Sequence, residues 1–152
     1  MLDNWIKKTR SFRYVIFPIY MQSHWTVLVQ DREEGTWRFY NSFRPRRGRD
    51  CHFEPAKKLK KIVEEYEERN SNGLVSTQDF REIVSVRSSP QLISGSLDCG
   101  VIVIYIMQRV LWDKEIESNL PNDECKKIRA KNLHEFLSDE ELYSWTQEAN
   151  KE

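Results

Sequence analysis

Runs of apolar residues separated by polar turns predict the first half of the chain. Arg13 to Tyr20 reads RYVIFPIY, a run of β-branched and aromatic residues that predicts a strand. Pro18 near its end predicts an edge strand or a strand terminus, because proline cannot donate to a ladder. His24 to Gln30 (HWTVLVQ) predicts a second strand and Thr36 to Tyr40 (TWRFY) a third. The polar DREEGT between them predicts a turn, with Gly35 as the positive-φ residue, so the second and third strands form a hairpin. A short strand is predicted over Glu82 to Val86 (EIVSV).

The period then changes. From about Glu54 to Asn70, Leu59, Ile62, Val63 and Tyr66 recur at i, i+3, i+4 and i+7, which predicts one apolar helical face. Pro55 suits the first turn of that helix. The stretch DCGVIVIYIMQRVLWDK has the β-propensity of a strand in VIVIYI, but its length and the continuing apolar positions Val110, Leu111 and Trp112 favour a buried helix. Asp98 is the expected N-cap. Two more helices are expected, over about Asp123 to Leu137 and Asp139 to Ala149. Strands, a helix, a strand and then helices make an α+β fold with a mostly antiparallel sheet.

The length of 152 residues predicts one domain with a real core. Lys plus Arg and Asp plus Glu both number 24, so the chain is formally neutral, which argues against nucleic acid as the main partner. Arg44, Arg46, Arg47 and Arg49 form a local basic cluster, read first as a solvated loop. No apolar run approaches a membrane span. The N-terminal MLDNWIKKTRSFR lacks the pattern of a signal peptide, so an intracellular location is expected, nucleus or cytoplasm. Cys51, Cys99 and Cys125 are odd in number, far apart and without CxxC spacing. Neither a disulfide framework nor a metal site is expected. Cys51 and Cys125 are read as structural or incidental, and His52 and His134 as lacking catalytic context.

One cysteine stands apart. Cys99 follows Asp98 at the first turn of the predicted buried helix, where orphan N–H groups and the positive end of the helix dipole favour thiolate over thiol. Gly100 removes bulk beside the sulfur, which helps a substrate backbone approach. His24 opens one hairpin strand and Asn41 lies just past the end of the other, so an antiparallel pairing puts them at one end of the sheet. An Asn side-chain oxygen can hold a histidine in the tautomer that leaves its other nitrogen free. Cysteine, histidine and asparagine are a known form of the nucleophile–base–orienter triad. Each residue alone has a blander reading: a buried thiol, a strand-end histidine, a turn asparagine.

The ordered set HWTVLV, FYNS, PQ and SLDCGVIVIYIM, from about Tyr14 to Arg109, resembles the ubiquitin-like-protein-specific cysteine proteases, the family of the SUMO-deconjugating enzymes, in a plant-like variant. The resemblance implies a papain-like architecture, with a central sheet flanked by helices and the cysteine opening a buried helix. It implies Cys99 as nucleophile, His24 as general base and Asn41 in a place most often held by Asp. Trp25 would cover a narrow tunnel for a di-glycine tail, and Gln91 would join the Cys99 backbone N–H in an oxyanion hole. No cofactor is implied. The partner would be a SUMO-type ubiquitin-like protein or its conjugates, and the chain a monomer.

Two departures from the family pattern are visible. The family loop often reads Pro-Gln-Gln with the second Gln as donor; here it reads Pro90-Gln91-Leu92, so Gln91 reaches that role only by a one-residue shift. The family domain also begins well before the first matching strand, which suggests an N-terminally truncated catalytic domain over residues 1–152. A catalytically inactive module that binds a ubiquitin-like protein, or a truncated remnant, is the alternative function, and an acyltransferase reusing the same His–Cys pair is a third.

Overall fold

Three strands form an antiparallel meander: β1 (Tyr14–Met21), β2 (His24–Asp31) and β3 (Thr36–Asn41). β4 (Ile83–Ser85) joins β3 in parallel, and the sheet order is β1-β2-β3-β4. This computed structural model describes residues 12–45, 47–70, 82–92 and 96–139. The chain divides into two compact units, Met1–Asn119 and Leu120–Glu152. The expected final helix lies outside the described residues apart from Asp139, as does Arg46 of the basic cluster.

β1 is an edge strand, as Pro18 predicted, with Pro18 opposite Val27. β2 is internal and is buried from Thr26 to Asp31. A two-residue turn, Gln22–Ser23, joins them with both residues at positive φ (52° and 57°). That is the mirror-image turn whose twist matches the flanking strands. Gly35 takes positive φ in the next turn, as its position predicted.

The sheet alternates faces along each strand. Leu28 pairs with Phe39 and Gln30 with Trp37, so the three apolar side chains share one face. Helix α1 (Phe53–Asn70) lays Ala56 and Val63 into this cluster, with Phe53 and Leu59 partly buried beside them. The expected stripe is corrected at one position. Ile62 is 54% exposed, because Ala56, Leu59 and Val63 set the buried line and Ile62 lies about 100° around the helix from Val63. Arg32 and Gln30 fasten the C-terminal part of α1 to the sheet through Glu67, at 2.7 and 3.1 Å.

Helix α2 (Cys99–Leu111) packs against β2 and β1 and buries Ile102, Val103, Tyr105, Ile106 and Val110. Ile102, Ile106 and Val110 recur every four residues on one helical face, so helix wins over the local strand propensity. Asp98 stands at the N-cap position but makes no capping hydrogen bond. Its carboxylate accepts the Ser96 hydroxyl instead, and its own N–H donates back to Ser96 Oγ at 3.2 Å.

In the second unit, α3 (Asn122–Ser138) begins after Pro121, with Asp123 and Glu124 in the first turn, where the helix dipole favours negative charge. No described helix is long and apolar enough to cross a membrane. Among the described residues, no cluster of three His, Cys, Asp or Glu is arranged to hold a metal ion.

Candidate active site

β2 and β3 place the histidine and the asparagine. Thr26 is the register partner of Asn41. His24, two residues further along the same face of β2, reaches diagonally to it. His24 Nε2 lies 2.8 Å from Asn41 Oδ1, and both residues are buried.

The surrounding donors and acceptors fix the protons. Phe43 N–H donates to Asn41 Oδ1 at 2.8 Å, and Asn41 Nδ2 donates to Asp50 Oδ2 at 2.9 Å. A carboxylate only accepts and a backbone N–H only donates, so the amide has one satisfied orientation. Asn41 therefore presents an oxygen to His24, and His24 Nε2 carries the proton. In the neutral ring, Nδ1 is then left with its lone pair available.

Burial pushes the His24 pKa below its ordinary value. The bond to Asn41 opposes that shift, the neighbouring His52 adds to it, and the Asp50 carboxylate opposes it. The ring is accordingly poised as a neutral base at physiological pH.

Cys99 begins α2, where the first N–H groups have no intrahelical acceptor. The first i→i−4 bond runs from Ile102 N–H to Asp98 O at 2.9 Å. Trp25 connects this helix start to the strand of His24. Its indole Cδ1 lies 3.6 Å from the place a β-carbon on Gly100 would take. Tyr20, the cross-strand partner of Trp25, packs on it at 4.9 Å between ring centroids. Trp25 thus links the start of α2, which carries Cys99 and Gly100, to the end of β2 that carries His24.

Gln91 also reaches the site, through the main chain of Asn41. Its Nε2 donates to Asn41 O at 2.9 Å and lies 3.2 Å from both Ser89 O and Pro90 O. Its Oε1 accepts from Arg44 N–H, also at 3.2 Å. Leu92 N–H donates to Ser42 O at 2.7 Å. Together these bonds clamp the Ser89–Leu92 loop to the end of β3, with the Gln91 amide engaged by carbonyl oxygens.

Three participants were not visible in the sequence. His52 is not remote from His24: the two rings lie 4.8 Å apart, and His52 is buried. Phe43 meets His24 edge-on at 5.9 Å while remaining 65% exposed. Asp50 stands behind Asn41. All three come from the loop that local patterns left featureless, and only a signal of long-range pairing could have found them. Cys51 is exposed, Cys125 buried and His134 on the exposed side of α3, with Ser138 as its partner.

The sequence matches the model of the Ulp1 protease family, C-terminal catalytic domain, over residues 2–142. Similar solved structures include the SUMO protease Ulp1 with its catalytic cysteine oxidized to a sulfonic acid, at 18% identity and a TM-score of 0.62. That match covers 83% of this chain and 55% of the other. The C-terminal Ulp1 protease domain in complex with Smt3, the yeast ortholog of SUMO, matches at 21% identity and a TM-score of 0.62, covering 84% of this chain and 55% of that one. The chain therefore spans about half the length of the solved domains it matches. No curated protein matches the sequence.

Proposed function

The chain belongs to the Ulp1 protease family, as a cysteine peptidase domain with that family's α+β fold, and from that premise we propose that it cleaves the bond after the C-terminal glycine of a SUMO-type ubiquitin-like protein. The observation that carries the proposal is the His24–Asn41 hydrogen bond, which leaves Nδ1 of a neutral imidazole for a thiol.

His24 Nδ1 takes the proton of Cys99, and the thiolate attacks the carbonyl carbon of the terminal glycine. The oxyanion is met by the Cys99 backbone N–H at the start of α2. Gln91 supplies a second donor once its amide exchanges the Asn41 carbonyl for the substrate oxygen; such a donor is worth about 3–4 kcal/mol in related chemistry. The His24 imidazolium then protonates the departing amine, either a peptide nitrogen or a lysine side chain. A thioester remains on Cys99. Water, deprotonated by His24, attacks it and releases the carboxylic acid and the thiol. Trp25 covers the start of α2 and would flank an extended glycine tail.

Turnover of a SUMO whose terminal glycine carries a fluorogenic amine tests this reading. Release of the amine that is abolished by Cys99→Ser and His24→Ala supports it. Equal release by Cys99→Ser overturns it.

A second reading is favoured by the occupied Gln91 amide and by Leu92 at the family's donor position: a module that binds the ubiquitin-like protein without cleaving it. It predicts a measurable SUMO complex and no turnover.

A further inference from the structure

We propose that Asp50 is a positioning residue of this site, locking the side-chain amide of Asn41 and, through it, the tautomer of His24. The inference rests on the function proposed above and adds a residue to it. Three hydrogen bonds carry it. Asn41 Nδ2 donates to Asp50 Oδ2 at 2.9 Å, His52 N–H donates to Asp50 Oδ1 at 2.9 Å, and Phe43 N–H donates to Asn41 Oδ1 at 2.8 Å. Asn41 is fully buried, so a wrongly oriented amide there would leave donors facing donors. Turned over, Asn41 would present NH2 to both Phe43 N–H and His24. The ring would then have to accept at Nε2 and carry its proton on Nδ1, the nitrogen needed as the base. Phe43 alone constrains the amide from one side. Asp50 constrains it from the other with a group that cannot donate.

A structural role for Asp50 exists beside this one. Its bond to His52 N–H is an Asx-turn leading into α1, and its carbonyl accepts Phe53 N–H at 3.2 Å. Asp50→Asn separates the two roles. The substituted amide can make the same Asx-turn, but its NH2 then faces the Asn41 NH2. Asn41→Asp combined with Asp50→Asn matches every partner again. The carboxylate introduced at position 41 accepts from Phe43, from His24 and from the amide NH2 introduced at position 50. The oxygen of that new amide accepts from His52.

The test measures kcat and KM of the intact chain on a SUMO with a fluorogenic C-terminal amine. It also records the imidazole long-range 1H–15N correlations of His24. Asp50→Asn is expected to lower kcat about 10- to 100-fold, the scale on which outer-shell partners act, with KM unmoved. The spectrum should change from a pure Nε2–H tautomer to a mixture. The double variant is expected to recover most of the lost kcat and the single tautomer. Parent-like kcat and spectrum in Asp50→Asn overturn the proposal, as does a double variant no better than the single one. If Asp50→Asn does not fold, the double variant and its spectrum decide alone. If the parent shows no turnover, the proposed function fails, and the spectra of parent and Asp50→Asn still decide the role of Asp50.

Discussion

Trp25 lies over Gly100, with the indole Cδ1 3.6 Å from the place a β-carbon at residue 100 would stand. That is ordinary van der Waals distance, so an alanine fits against the ring without displacing it. The helix gains from losing its glycine: Gly100→Ala should stabilise the fold by about 0.5–1 kcal/mol. The same methyl group stands beside Cys99, where a glycine tail must pass. The expected outcome is a raised urea midpoint together with a lower kcat/KM. Unchanged kcat/KM would show that substrate does not use that space.

The β1–β2 hairpin turns through two non-glycine residues in the left-handed region, Gln22 and Ser23, immediately before His24. Such a conformation costs about 1–2 kcal/mol per residue for ordinary side chains. Replacing the pair by Asn-Gly, which favours this turn, should raise stability by about 1 kcal/mol or more. Urea denaturation of the double variant against the parent checks it, with a midpoint at or below the parent's as the contrary result.

At the far end of the same strands, Asp31 is buried and accepts from Arg13 Nε and Nη2 at 3.3 Å and from the backbone N–H groups of Glu33 and Glu34. Burial alone would raise its pKa. The bonds from Arg13 and the Glu34 N–H, with the charges of Arg13 and Arg38, outweigh burial and hold it below the usual carboxylate value. A depressed acid stabilises the fold above its unfolded pKa of about 3.9. That stability is lost as pH falls through the lower folded value. Asp31→Asn should therefore cost about 1–3 kcal/mol at pH 7, with the partly exposed arginines softening the loss. The difference from the parent should shrink toward pH 3 in urea titrations.

His24 acts in the same sense, in a higher pH window. Its folded pKa lies below the ordinary value, so the unfolded chain binds the proton more readily and acid destabilises the fold from about pH 6.5 downward. In a Cys99→Ala protein, where the thiol no longer couples to the ring, NMR titration should place His24 below about 6.5, the ordinary histidine value. Asp50→Asn should lower it further, because the carboxylate favours the charged ring. A value at or above the ordinary one in Cys99→Ala would contradict the burial and polarity assigned to this ring.

The sequence made the frame of this site legible because the frame depends on local pattern. Runs of β-branched and aromatic residues marked β1, β2 and β3, and hairpin geometry placed Asn41 at the same end of the sheet as His24. The apolar run after Cys99 was long enough to specify α2 despite its strand propensity. Ile62 misled because a four-position helical stripe cannot say which edge meets the sheet. Asp98 misled because Ser96, two residues earlier, takes its carboxylate. The Gln22–Ser23 turn carries no Gly, Asn or Asp, the residues that favour positive φ, so its backbone is set by the strands it joins. Asp50 and His52 were invisible for another reason: the 41–53 loop folds back on the end of β3, and no periodicity records where an irregular segment returns.

Covalent trapping tests the central claim most directly. SUMO carrying a C-terminal electrophile in place of the glycine carboxylate is mixed with the parent chain and with Cys99→Ala, and intact mass is read. The expected result is one adduct on the parent and none on Cys99→Ala. No adduct on the parent, or an adduct that survives in Cys99→Ala, would contradict Cys99 as the nucleophile of a SUMO-directed peptidase.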